Sequence, residues 1–147
     1  MTLIRIYIPL NAASLRRLDT DRVVTGAPFL AYAVTDAVRA SAPAAGQDGW
    51  EYSALSDAVL RSAALLTSGE KRRIVAAADV APELVGPAAP TDSGDSSDFI
   101  EDSAVVILDS VELKRIASFH VDADEASEDD ELLWYDVTEL PVILALL

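Results

Sequence analysis

Over the first residues of the chain, Ile4, Ile6 and Ile8 alternate with Leu3, Arg5 and Tyr7, the period-two pattern of a strand with one face turned to a core. Asn11 follows, with an oxygen able to accept from the free amides of a first helical turn, and predicts a short helix carrying Leu15 and Leu18. After the turn residues Thr25-Gly26-Ala27-Pro28, the run from Phe29 to Val34 predicts a second strand. Thr35 is placed to cap another short helix, which must end near Pro43.

The longest helical pattern comes next. Trp50, Ala54, Leu55, Ala58, Val59 and Leu66 form one apolar face behind an Asp48-x-x-Glu51 capping box, predicting a helix over residues 49–67. Asp57 and Arg61 stand one turn apart and are spaced to pair, while Gly69 sits where a left-handed C-terminal cap is wanted. Ile74 to Ala78 is apolar without interruption, which predicts a strand covered on both faces. Residues 86–102 then change character to proline, serine, glycine and aspartate and read as a mobile acidic loop.

Ala104 to Leu108 and Ile116 to Val121 resume as strands, with one turn at Ser110 to Lys114 between them. A second acidic run, Asp122 to Glu131, separates these from Leu132 to Val137, whose aromatics favour another strand. Thr138 is placed to cap a last helix with Pro141 in its first turn, the one place a helix tolerates proline. These elements predict one α/β domain over residues 1–147, with α+β as the alternative: a mixed sheet of five or six strands, one long helix and several short ones.

Composition narrows the function classes. With 51% hydrophobic and 24% charged residues in 147, the chain has the make-up of a folded domain and not of a disordered segment. The net charge is -14, and its distribution is uneven: residues 1–73 carry +2 and residues 74–147 carry -16. Phosphate neutralisation needs Lys and Arg, and the clusters available are only Arg16-Arg17 and Lys71-Arg72-Arg73, so nucleic acid and anionic membrane surfaces are not expected partners. The longest apolar stretch, Leu140 to Leu147, falls well short of the roughly 20 residues that span a bilayer. Arg5 inside the first apolar run, with no small-residue cleavage site behind it, does not suit a signal peptide, so a cytoplasmic location is expected.

The chain has no cysteine and one histidine, which removes thiolate chemistry and any site requiring two imidazoles. It also lacks the glycine-rich phosphate loops, the Gly-x-Ser-x-Gly elbow and the His-Glu-x-x-His zinc motif, and no cofactor is expected. His120 shares a strand face with Ser118 and Asp122, so His120, Asp122 and Asp124 are the candidate catalytic set. In that reading the two aspartates hold Mg²⁺ or Mn²⁺ and His120 acts as general base. The competing reading makes His120 an ordinary hydrogen-bonded strand residue and both acidic runs solvated charge. Asp122-x-Asp124 is not a calcium loop, since Ser127 stands where the sharp turn requires glycine and Leu133 where the bidentate glutamate belongs.

Trp134 and Tyr135 must point to opposite sides of a strand, so one of them is a candidate for a partner surface. The tail from Glu139 to Leu147 is apolar all round, which predicts partial docking on the sheet with Leu144 and Leu147 available to a second copy in a homodimer. Together, Ile4-Arg5-Ile6-Tyr7-Ile8-Pro9, Ala31-Tyr32-Ala33-Val34-Thr35, Arg73 to Asp79, Phe119-His120-Val121-Asp122 and Glu131 to Tyr135 resemble a family of short actinobacterial proteins whose activity is not established. That resemblance implies no ligand and no catalytic residue. The expectation is a non-catalytic acidic interaction or accessory domain of the bacterial cytoplasm, with a small metal-assisted hydrolase as the alternative.

Overall fold

The computed structural model describes residues 2–88, 101–123 and 132–147. Its first strand, β1 (Ile4–Leu10), runs into helix α1 (Ala12–Asp21) through Asn11, whose side chain accepts from Ser14 N–H at 2.9 Å while Ser14 Oγ accepts from Asn11 N–H at 2.8 Å. The reciprocal pair satisfies two donors that the first turn would otherwise leave open. Short strand β2 (Val23–Val24) is followed by β3 (Phe29–Ala33), and Thr35 then caps α2 (Asp36–Ser41) as its sequence position predicts.

The long helix α3 spans Gly46–Ala64, three residues ahead of the expected start, and no side chain caps it. Ala45 N–H bonds back to Ala42 C=O at 3.0 Å and Trp50 Nε1 donates to the same carbonyl at 2.8 Å, so the tight connection from α2 delivers the chain into the helix early. Asp48 therefore lies in the first turn, where its charge favours the helix dipole without making a box. At the other end Leu65 is the cap, and Gly69, at φ +89°, serves the turn between Thr67 and Glu70 instead. Asp57 does not pair with Arg61; it accepts from Ser103 Oγ at 2.6 Å, across 46 residues of sequence.

Strands β4 (Ile74–Val80), β5 (Val85–Pro87) and β6 (Ala104–Ile107) follow, then β7 (Val111–Glu112), β8 (Ile116–Val121), β9 (Leu133–Asp136) and the closing helix α4 (Leu140–Leu146). Among the described residues seven strands form the main sheet in the order β5-β6-β3-β1-β4-β8-β9, and β2 pairs with β7 in a second, small sheet. Every neighbouring pair is antiparallel, so the architecture is the α+β form that the sequence allowed, with seven antiparallel strands in place of the five or six of a mixed sheet. The reason is topological: β1 lies between β3 and β4 and runs against both, so the connection through α2 and α3 steps over a strand without creating a parallel pair. Gly86 and Pro87, read in the sequence as loop, pair with Val106 and Val105, whereas residues 89–100 of the acidic segment lie outside the described residues.

The uninterrupted apolar run in β4 is explained by its burial on both faces. Ile74, Ala76 and Ala78 join Ile6, Ile8, Leu15, Leu18 and Phe119 in the larger core, while Val75 and Ala77 pack with Tyr7, Tyr32, Ala54 and Ala58 under α3. Ser62 is fully buried and yet satisfied, donating to Leu10 C=O at 2.6 Å and accepting from Ile74 N–H at 2.8 Å. It thereby fixes α3 to the adjoining ends of β1 and β4. The last helix is preceded by a single 3₁₀ turn, Val137–Glu139, capped by Asp136 and not by Thr138, which here donates to the Asp136 carboxylate.

Candidate functional site

Alternation along the strands sets Arg5 and Tyr7 of β1, Asp79 of β4, Ser118 and His120 of β8, and Trp134 and Asp136 of β9 on the same side of the sheet as α3. Arg5 and Asp79 are directly opposite and pair through two hydrogen bonds, Nε to Oδ1 at 2.6 Å and Nη2 to Oδ2 at 2.9 Å. Burial pushes the Tyr7 hydroxyl up, with the Glu51 carboxylate adding to the effect. Burial pushes His120 down, and the Arg5 charge acts in the same direction, so the imidazole is neutral near pH 7. No hydrogen bond or ion pair joins the His120 imidazole to another described residue.

Asp122 is 1% exposed, and both of its oxygens are taken up by Arg73: Oδ2 accepts from Nε at 2.9 Å and from the backbone N–H at 2.8 Å, and Oδ1 accepts from Nη2 at 2.9 Å. The pair clamps the start of β4 to the end of β8. Asp124 lies outside the described residues, and among those described no three side chains of His, Asp or Glu gather where a metal ion would sit.

The aromatic pair behaves as strand alternation requires. Tyr135 packs against the larger core, whereas Trp134 is 61% exposed, next to Leu133 at 47%. These residues form β9, an outer strand of the main sheet. In α4 and its cap residue Leu147, Leu140 and Ile143 are buried, Leu144 and Leu147 are partly buried against the same core, and Val142 and Leu146 face solvent. The tail thus docks along one side, leaving Val142 and Leu146 exposed on the other.

Two clefts escape sequence reasoning because each joins residues distant along the chain. One, of about 390 Å³, is lined by Ser41, Tyr52, Asp57, Glu101 and Asp102 between α2, α3 and the approach to β6. Burial raises the Asp57 carboxyl, the Ser103 hydroxyl opposes this, and Glu101 and Asp102 add to the rise. The other, of about 350 Å³, brings Arg16, Lys71 and Arg72 together with Glu70, Leu146 and Leu147. Arg72 already donates through Nη1 to the carbonyls of Asp122 and Ala123.

A two-sided α+β sheet domain with an exposed aromatic edge, and no described metal-ligand cluster, is the class these features define. The chain belongs to a family of unknown function, DUF6912, whose pattern covers residues 4–144. No curated protein and no solved structure matches it. Among the described residues no helix is long and apolar enough to cross a membrane.

Proposed function

We propose that the protein is a non-catalytic interaction domain whose working surface is the β9 edge. The observation that supports this most is Trp134, a large ring 61% exposed on an outer strand. Tryptophan is among the residues that most often dominate binding energy, because it buries a large area at little cost in torsional freedom. The arginine- and alanine-rich composition, nine Arg to two Lys, suits an actinobacterial origin, and the absence of cysteine suits a cytoplasmic setting.

Trp134→Ala should leave the melting temperature within about 2 °C of the wild type, as expected for a surface change of under about 0.5 kcal/mol. It should also abolish the defined species that the wild-type chain forms with its partner on chemical cross-linking in its host. Loss of stability with cross-linking retained would make Trp134 a structural residue and end this reading. The metal-assisted hydrolase keeps one supporting observation, the neutral and unengaged His120. Saturable Mn²⁺ binding by calorimetry, lost in His120→Ala, would favour that alternative.

A further inference from the structure

The two edges of the main sheet are built differently. At one end β5 is three residues long and finishes in Pro87, which has no N–H to offer, so that edge is closed to further pairing. At the other end β9 has neither proline nor lysine.

Its hydrogen-bonding polarity follows from one contact. Asp136 N–H donates to Glu139 Oε1 at 3.0 Å and therefore points away from β8. Main-chain direction alternates along an antiparallel strand, so Trp134, two residues earlier, also turns its N–H and C=O outward, while Leu133 and Tyr135 face β8. Among the described residues no backbone group outside the strand pairing meets Trp134 N–H or C=O. An open donor and acceptor thus flank an exposed indole.

Charge decides what can occupy the edge. Asp122 is neutralised by Arg73, but from Ala123 to Leu147 the chain contains eight further acidic residues and no lysine or arginine. A second copy pairing β9 against β9 would bring together two molecules of net charge -14 each. A segment with basic side chains gains where a copy loses. We infer that β9 accepts an extended, lysine- or arginine-bearing segment of another protein as an added strand, with main-chain bonds at Trp134 and an apolar side chain of the segment against the indole. This rests on the interaction-surface reading above and adds to it both the geometry and the partner's charge.

The test uses the full chain and three probes: a short peptide of alternating lysine and valine, its glutamate counterpart, and the lysine peptide N-methylated at its central valine. Amide exchange at Trp134 is followed by NMR, with binding measured in parallel. The lysine peptide should bind, slow exchange of the Trp134 amide by about tenfold or more when saturating, and lose affinity as salt is raised. The glutamate and N-methylated peptides should fail. Trp134→Pro removes the outward N–H at an edge position where proline is tolerated and should weaken binding about tenfold, with Trp134→Thr keeping the N–H as control.

Binding of the lysine peptide without protection of the Trp134 amide would overturn strand addition while leaving the interaction surface standing. Equal binding of the glutamate peptide would overturn the charge argument. A dimer in ultracentrifugation that protects the same amide would assign the edge to a second copy. No binding, no dimer and no effect of Trp134→Ala on cross-linking would remove the interaction surface itself.

Discussion

Asp122 and Arg73 form the most deeply buried ion pair among the described residues, with side chains 1% and 6% exposed. Removing the Asp122 carboxylate takes away a buried counter-charge together with the acceptor of three Arg73 hydrogen bonds, one of them from its backbone N–H, which costs more than the intact pair contributes. Asp122→Ala should therefore lower unfolding free energy by about 3–5 kcal/mol in urea titration, and Arg73→Met combined with Asp122→Leu should recover much of the loss. A cost below about 1 kcal/mol for Asp122→Ala would show that the carboxylate is dispensable to the fold. His120 gives a prediction in pH. Its folded-state pKa lies below the unfolded value of about 6.5, so the unfolded chain binds the proton more tightly and stability falls as pH drops from 7.5 through the folded pKa. As the chain has one histidine, His120→Gln should flatten the decline in melting temperature as pH falls below about 6.5, and an unchanged slope would exclude the imidazole as its source. Asp57, whose carboxyl is raised, acts in the opposite sense, stabilising at acid pH and losing that contribution as pH rises through its folded pKa.

Helix α4 shows what an apolar pattern can and cannot specify. Pro141 in the first turn and a tail that requires covering were both legible in the sequence, but a run apolar on every side does not say which side docks. The structure chooses Leu140 and Ile143, and Ile143→Ala should cost about 2–5 kcal/mol while Val142→Ser stays within about 0.5 kcal/mol. Comparable effects in urea denaturation would mean that the helix is not docked on this side. The same distinction separates the other elements that were legible from those that were not. β1, α1 and α2 carried local signals, a period-two run or a capping side chain, and occur where those signals place them. β2, β5 and β7 are two or three residues long and exist through pairing with distant strands, so no local pattern marks them. The start of α3 moved because Ala45 and Trp50 both bond to Ala42, contacts that outweigh a capping box. At the candidate surface, alternation predicted the opposed directions of Trp134 and Tyr135, whereas the open edge depends on strand order and became visible only in the sheet.

At the scale of the molecule, a net charge of -14 on 147 residues governs how copies meet. Edge strands with unpaired main-chain groups are templates for self-pairing, and proteins commonly prevent this with proline or lysine, neither of which β9 contains. Repulsion between acidic surfaces supplies the remaining barrier, and it depends on salt: screening lengths fall from about 8 Å at 0.15 M to about 3 Å at 1 M. The chain should sediment as a monomer at low salt and neutral pH, then show concentration-dependent association in 1 M NaCl as the repulsion is screened. Trp134→Pro should suppress that association by closing the outward N–H and removing the exposed ring, while a double substitution of Val142 and Leu146 by serine tests whether α4 contributes instead. A chain that stays monomeric at every salt concentration would show that its edge is guarded by something other than charge. Association unaffected by Trp134→Pro but lost in the α4 variant would place the self-contact on the tail.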